Sequence, residues 1–255
     1  MVGGATTKEL IVNGKRLDGR ALDELRPIKI EASVLNKADG SAYVEWGKNK
    51  VIAGVFGPRE CFPRRDVNPY RATLRCRYRM SPFATSDHGR SGPNRRSTEL
   101  SKVIREAFEG VVLREQFPKT AIDVTVEVLQ ADGGTRCASL VAVSTALADA
   151  GIPMKDLVSA VAVGKINGKL ALDLTGVEDN FGDSDIPVAI TGRNKEIVLF
   201  QMDGVLLPEQ ISQALKMASA ANEHIHALQV DALKLVYESK QAQGGARTGA
   251  ASEED

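Results

Sequence analysis

An alternating strand, two glycines and an alanine-rich helix follow one another in the middle of this chain. Apolar and polar residues alternate over residues 121–130, which predicts a half-buried β-strand. Gly133 and Gly134 interrupt the alternation, and the alanine-rich segment after them predicts a helix that ends near Gly151. This stretch is the most informative in the sequence, because it combines two secondary-structure elements with groups that can bind an anion.

The other segments show the same two kinds of pattern. Residues 72–80 alternate between an apolar face and a face that carries Arg75, Arg77 and Arg79. Strands are predicted at 28–36, 41–47, 50–57, 72–80, 186–191 and 196–202, with two or three more at 157–175 around an Asn167-Gly168 hairpin turn. Helices are predicted at 95–116 and 208–241. This order predicts an α+β fold with mixed sheets, and it indicates two related halves although no exact internal repeat is present.

The chain shows no linker between independent domains. We predict an irregular arm at 1–27, one folded unit of two halves at 28–241 and a disordered tail at 242–255. The 255 residues, 43% of them apolar, are enough to bury a core without disulfides. The N-terminus lacks the apolar core of a signal peptide, and no apolar run approaches the roughly 20 residues that span a bilayer. We therefore expect a cytoplasmic protein without a membrane partner.

The glycine turn is a candidate anion site. A helix N-terminus offers unpaired backbone N–H groups and a partial positive charge, and glycines let the backbone approach an anion closely. Arg136 can grip a phosphate with two parallel hydrogen bonds, and the hydroxyls of Thr135 and Ser139 can add donors. The spacing fits neither a Walker loop nor a Rossmann fingerprint. A plain Gly-Gly turn with a threonine cap on a core helix fits the pattern equally well.

The acidic segment at 173–185 is a second candidate site. Its carboxylates can bind Mg²⁺, or one of them can stay protonated as a general acid. Asp185 directly precedes the apolar run 186–189, so it lies at the mouth of a buried strand rather than at a loop tip. The spacing of a calcium-binding loop is not met. A solvated acidic loop is the alternative that the pattern leaves open.

Arginines form a third candidate site, although the formal net charge of the chain is zero. Arg64 and Arg65 lie in one predicted loop, and Arg95 and Arg96 open a predicted helix. Arginines bind RNA phosphates, and the nearby Tyr70 can stack on a base. Exposed charges or subunit-interface residues would show the same pattern.

Four segments, in their order and spacing, resemble the RNase PH superfamily. They are Arg-Leu-Asp-Gly-Arg at 16–20, Arg-Arg-Ser-Thr-Glu at 95–99, Gly-Gly-Thr-Arg-Cys-Ala-Ser at 133–139 and Glu-Asp-Asn-Phe-Gly-Asp-Ser-Asp-Ile-Pro at 178–187. The resemblance covers about residues 10–240. The last segment, with aspartates six apart before Ile-Pro, is similar to the catalytic RNase-PH-like subunits of archaeal exosomes.

The resemblance implies a fold of two pseudo-symmetric halves of the ribosomal protein S5 type. It also implies a hexameric ring in which three copies alternate with an inactive RNase-PH-like homologue, with RNA-binding cap proteins on one face. Single-stranded RNA would thread the channel and be shortened from its 3′ end by phosphorolysis. Inorganic phosphate would be the co-substrate, and a divalent metal, expected to be Mg²⁺, the cofactor.

The resemblance also implies a role for individual residues. Gly134, Thr135, Arg136 and Ser139 would hold the attacking phosphate, Asp179 and Asp185 would bind the metal or supply the acid, Arg95 and Arg96 would hold the terminal nucleotides, and Arg64, Arg65 and Tyr70 would line the RNA path. Two other functions stay open. One is a bacterial-type RNase PH that trims tRNA as a homohexamer, and the other is a ring subunit that binds RNA without catalysis.

Overall fold

A computed structural model describes residues 10–12, 14–86 and 92–249, without the side chains of residue 240 and residues 242–249. The strands are β1 (Ile11–Val12), β2 (Lys15–Arg16), β3 (Ile28–Ala32), β4 (Gly40–Trp46), β5 (Asn49–Glu60), β6 (Thr73–Met80), β7 (Thr120–Gln130), β8 (Val158–Ile166), β9 (Lys169–Leu172), β10 (Ser184–Thr191), β11 (Ile197–Phe200) and β12 (Asp203–Gly204). The helices are α1 (Arg95–Glu109), α2 (Thr135–Asp149), α3 (Gly176–Phe181) and α4 (Pro208–Gly249).

The larger strands form two sheets. The first has the order β3-β4-β5-β7-β6, in which only the pair β6–β7 is parallel. The second is antiparallel, with the order β11-β10-β8-β9 and with β12 also paired to β10. α2 packs against β4 and β5 of the first sheet and β8 of the second, while α4 packs on β8 and β3. The predicted α+β class with two sheet-and-helix halves is confirmed.

The patterns that predicted these elements reflect burial. Leu74 and Tyr78 on the apolar face of β6 are buried, whereas Arg77 and Arg79 on its other face are exposed. α2 is buried on nearly every side, as an alanine-rich helix between two sheets must be. The predicted hairpin turn also holds, because Asn167 and Gly168 both have the positive φ that a tight β-hairpin favours.

Several predicted boundaries were wrong. α1 stops at Glu109 rather than at Gln116, since Gly110, a poor helix former, follows it, and residues Arg114–Gln116 form a separate 3₁₀ turn. The acidic segment contains α3, which its polar sequence did not reveal. The arm at 1–27 is not wholly irregular, since β1 and β2 form a small hairpin within it, while residues 1–9 and 13 lie outside the described residues.

The C-terminal helix also differs from its prediction. α4 continues to Gly249, past the predicted end near Gln241, although residues 242–249 contain three glycines, which favour an earlier helix end. Near its end the helix also carries an exposed apolar residue, since Leu235 is 66% exposed. The rest of the predicted tail, residues 250–255, lies outside the described residues. Within the described ranges, no helix has both the length and the apolar character that crossing a bilayer requires.

Candidate active site

One cavity of about 470 Å³ collects charged side chains from both halves of the fold. Its wall contains two arginines and five carboxylates, together with a few small and neutral residues. The charged members are Arg96, Glu99, Arg136, Asp179, Asp183, Asp185 and Asp203, and the others are Gly182, Ser184, Pro187, Gln201, Met202 and Gly204. The arginine after the glycine turn and the two aspartates of the acidic segment therefore share one space, as the resemblance required.

Arg96 is placed by the start of α1. Asn94 caps the helix, since its side chain accepts a hydrogen bond from the Ser97 N–H at 2.7 Å, and its own N–H donates to Ser97 Oγ at 2.9 Å. This capping box fixes Arg95 and Arg96 in the first turn. Arg96 and Glu99, three residues apart, lie on the same helix face and both line the cavity, whereas Arg95 is exposed outside its wall.

The start of α2 depends on its two glycines. Gly133 and Gly134 have φ of 71° and 70°, and a Cβ on Gly133 would lie 2.6 Å from the backbone nitrogen of Gly176. Thr135 and Ser139 are buried rather than in the cavity wall, and Ser139 donates its hydroxyl to the Thr135 carbonyl at 2.7 Å. Their predicted phosphate contacts stay predictions.

Arg136 is the residue of this turn that reaches the cavity. Its Nη2 lies 3.9 Å from Oε1 of Glu99, and its buried Nε has no hydrogen-bond partner. A guanidinium has five N–H donors, so this loose contact leaves donors for a bound anion. The arrangement suits a phosphate ion better than it suits a purely structural ion pair.

Asp185 is unlike an ordinary surface carboxylate. Burial, followed by the charge of Asp179, raises its pKa to about 6, although Arg136 acts in the opposite direction. Asp185 is the second residue of β10 and is paired with Gly164 on β8 and with Asp203 on β12. A carboxyl group with this pKa retains a proton to near neutrality, which a general acid requires.

The donor chemistry of the cavity also suits a divalent cation. Asp179 and Asp185 present hard carboxylate oxygens, and their mutual repulsion is the kind that a bound cation relieves. In the described residues, no group of three or more His, Cys, Asp or Glu side chains is arranged to hold a metal by itself. Mg²⁺ commonly uses one or two carboxylates together with substrate phosphates and water, so two aspartates are sufficient.

Arg64, Arg65 and Tyr70 lie outside this cavity. They belong to the segment between β5 and β6, where residues Arg64–Asp66 form a 3₁₀ turn. Tyr70 is 83% exposed, and neighbouring Phe62 is similarly exposed. The structure therefore gives this segment exposed aromatic and cationic groups but does not bring it to the carboxylates.

Sequence reasoning missed two groups of residues. Glu99 and Asp203 line the cavity, and of these only Glu99 gave a signal, since it follows Arg96 at helical spacing. The second group is a buried cluster that contacts the glycine turn and α3. It comprises Arg16, Arg20, Arg26, Asp173 and Glu178. The Arg-Leu-Asp-Gly-Arg motif contains the first two arginines, but the motif alone did not assign them a role.

Comparison with known protein families agrees with the two sheet-and-helix halves of the fold. The pattern of the 3′ exoribonuclease family, domain 1, matches residues 24–153, and that of domain 2 matches residues 156–221. The chain therefore belongs to the 3′ exoribonuclease (RNase PH) family, and the predicted resemblance is confirmed.

Particular relatives are more informative. The chain is 55% identical over 225 residues to exosome complex component Rrp41 of Thermococcus kodakarensis, covering 88% of this chain and 90% of that protein. It is 54% identical over 229 residues to Rrp41 of Archaeoglobus fulgidus, covering 89% of each. A chain in the structure of the Archaeoglobus fulgidus exosome with RNA bound to the active site superposes with a TM-score of 0.72 at 25% identity, covering 83% of this chain and 91% of that one.

Proposed function

We propose that this chain is the catalytic subunit of an archaeal exosome, which shortens single-stranded RNA from its 3′ end with inorganic phosphate and releases nucleoside diphosphates. The main support for this proposal is that a single cavity contains the side chains of Arg96 and Arg136 together with those of Asp179 and Asp185. Inorganic phosphate and the RNA phosphodiester are both anions, so positive charge is needed to offset their repulsion. The leaving oxygen also needs an acid that can protonate it. The cavity contains both the positive charge, on the two arginines, and an acid, Asp185.

The relatives support a ring of two kinds of chain. The Archaeoglobus component Rrp41 is 54% identical to this chain, whereas the superposed Archaeoglobus exosome chain is only 25% identical, so the two comparisons concern different proteins of one fold. This supports a catalytic chain that alternates with a homologous partner in a hexamer. RNA-binding cap proteins would complete the assembly. The high identity to archaeal exosome components disfavours a bacterial-type RNase PH.

The residues divide the reaction between them. Arg136 of the cavity wall would hold the attacking phosphate, helped by the turn in which Gly134 precedes α2. Arg96 of the same wall, with Arg95 beside it in α1, would hold the phosphates of the terminal nucleotides. A phosphate oxygen forms a bond to the last phosphodiester phosphorus, and the bond from that phosphorus to the 3′ oxygen of the preceding nucleotide breaks. Asp185 donates a proton to that oxygen. The products are a nucleoside diphosphate and RNA shortened by one nucleotide.

Mg²⁺ is the cofactor that the two carboxylates fit. Asp179 would hold it, and Asp185 would be a second ligand only in its ionised state, because the protonated acid cannot also bind the ion. When bound, the ion would stabilise negative charge on the phosphates. Because a phosphodiester and a diphosphate linkage have similar bond energies, the reaction is reversible, and excess nucleoside diphosphate would extend RNA tails.

The test is to incubate the chain, alone and with its homologous partner, with a 3′-tailed RNA, Mg²⁺ and phosphate. Phosphate-dependent release of nucleoside diphosphates is the expected result, and Arg136→Gln should abolish it. Release of monophosphates without phosphate would overturn phosphorolysis. Activity of a homohexamer without the partner would favour a bacterial-type enzyme, and RNA binding without turnover would favour a non-catalytic subunit.

A further inference from the structure

We propose that two buried arginines from the N-terminal segment are positioning residues that set the two sides of the active site separately. Arg26 orients the glycine turn that binds phosphate, and Arg16 orients the acidic helix α3. The inference rests on the proposed function, because it assigns those two sides to phosphate and to catalysis.

Buried charge is concentrated in one cluster that contacts both the glycine turn and α3. Six charged residues are buried in the described part of the chain, and all but Arg114 belong to one cluster. The cluster consists of Arg16, Arg20, Arg26, Asp173 and Glu178. Buried ion pairs contribute little net stability compared with apolar packing, so a five-membered cluster points to a requirement for fixed geometry.

Arg26 is bound to the glycine turn on one side and to Asp173 on the other. Its Nη1 donates to the Asp132 carbonyl at 2.6 Å and its Nη2 to the Gly133 carbonyl at 3.3 Å. Its Nε and Nη2 also donate to the Asp173 carboxylate at 2.9 and 2.6 Å. These bonds hold the pKa of Asp173 below its ordinary value although burial acts to raise it.

This contact has a direct consequence for phosphate binding. The Gly133 carbonyl and the Gly134 N–H belong to one planar peptide, so fixing the carbonyl fixes the direction of the N–H at the start of α2. Asn49 supports the same carbonyl, since its Nδ2 donates to it at 2.5 Å. Two glycines with positive φ would otherwise allow this peptide to rotate.

Arg16 binds the other side of the site. Its Nε donates to Glu178 Oε1 at 2.8 Å, and its Nη2 bonds to Glu178 Oε2, which gives a two-pronged pair. Its Nη1 and Nη2 also donate to the carbonyls of Leu172 and Asp173 at 2.5 and 2.8 Å. Arg16 therefore ties Glu178 to the backbone that leads into α3.

Glu178 in turn controls the short helix that carries Asp179. It accepts hydrogen bonds from the N–H and the hydroxyl of Thr175 at 2.8 and 2.9 Å, which closes the first turn of α3. A helix of six residues is not stable alone, so the direction of Asp179 depends on this anchor. Asp173 belongs to both sets of contacts and links the two sides.

The test uses Arg16→Lys and Arg26→Lys in the full chain assembled with its partner, because lysine keeps the charge and loses the forked donor geometry. Arg26→Lys should raise the KM for phosphate at least about tenfold with little change in kcat, and Arg16→Lys should lower kcat by up to about 100-fold with little change in that KM. Calorimetric binding of inorganic phosphate without RNA should weaken in Arg26→Lys only.

Arg59→Lys is the matched control, because Arg59 pairs with Asp123 on the exposed face of the first sheet, outside the cavity. It should leave every constant within about twofold of wild type. A purely structural role would make both variants lose thermal stability, ring assembly and all kinetic constants together, and that result would overturn the proposal. Failure of the proposed function can be distinguished from failure of this proposal. If the proposed function were wrong, the wild-type assembly would release no nucleoside diphosphate, whereas the calorimetric comparison of phosphate binding would still decide the role of Arg26.

Discussion

Arg136 and Glu99, which belong to different helices, meet in the cavity with 3.9 Å between Nη2 and Oε1. Glu99 is 52% exposed on its side chain, so the pair is only partly shielded from water. An incoming phosphate must compete with this carboxylate for the guanidinium. Glu99→Gln is therefore expected to lower the KM for phosphate by up to about fivefold, since exposed pairs are worth about 0.2–1 kcal/mol. Initial rates over a phosphate titration at saturating RNA measure the effect.

The control for this prediction lies on the same helix. Glu106→Gln removes an exposed carboxylate that contacts Lys102 and Arg105 and does not line the cavity, so it should leave the KM for phosphate unchanged. Added salt should reduce the difference between Glu99→Gln and wild type, because it screens the pair. An unchanged or higher KM in Glu99→Gln would show that Glu99 does not compete with phosphate.

Arg136 and Arg96 should have separable kinetic effects although they line one cavity. Arg136→Lys removes the forked donor beside the glycine turn, and we expect kcat/KM for phosphate to fall by about 100-fold while RNA affinity stays within about twofold. Arg96→Lys should instead weaken RNA and leave the KM for phosphate nearly unchanged. Varying phosphate and RNA in turn distinguishes them, and equal losses toward both substrates in both variants would contradict the division of roles.

The exposed segment between β5 and β6 allows a test remote from the chemistry. Tyr70 is 83% exposed and lies outside the cavity, so its predicted contact is base stacking along the RNA path. Tyr70→Leu should weaken binding of a long RNA by about five- to 150-fold, from about 1–3 kcal/mol per stacked base. Turnover of a very short RNA should not change. Tyr70→Phe keeps the ring and should behave as wild type, and weakening in that variant would argue against stacking.

The sequence predicted those elements whose pattern lies within a short stretch of the chain. Alternation in β6 and β7 reports burial of one sheet face, and the glycine pair before Arg136 marks a helix start, so these features were predicted well. α3 was missed because its six residues, three of them polar or acidic, are too few to show a helical period. Its stability comes from a capping glutamate and a buried arginine rather than from periodicity.

The buried cluster could not be predicted because its contacts are distant in sequence. Arg16 and Glu178 are 162 residues apart, and an arginine in a polar N-terminal segment is typically exposed. Glu99 and Asp203 were missed for a similar reason, since a single charge on a helix or turn is usually solvated. The motifs indicated that Arg96, Arg136, Asp179 and Asp185 belong to one site, while only the fold shows which other charges surround them.

The raised pKa of Asp185 makes the folded protein less stable at neutral pH than at acidic pH, as far as this group is concerned. In an unfolded chain an aspartate has a pKa of about 3.9, whereas burial and then Asp179 raise the pKa of Asp185 to about 6 in the folded protein. Between about pH 4 and pH 6 the folded state keeps a proton that the unfolded state has lost. The free energy of unfolding is therefore highest below about pH 4 as far as this group is concerned. It falls by roughly 3 kcal/mol as the pH rises to about 6, and it stays at the lower value above that pH.

Asp185→Asn should separate this cost from the catalytic use of the carboxyl group. Asparagine does not titrate, so the variant should unfold at a higher urea concentration than wild type at about pH 7.5, while the two should differ little at about pH 4. Because the amide cannot donate an acidic proton, turnover should be lost, and RNA binding should stay near the wild-type value. An equal stability change at both pH values would mean that packing, rather than the charge of Asp185, produces it. Normal turnover in the assembled variant would remove Asp185 from the chemistry.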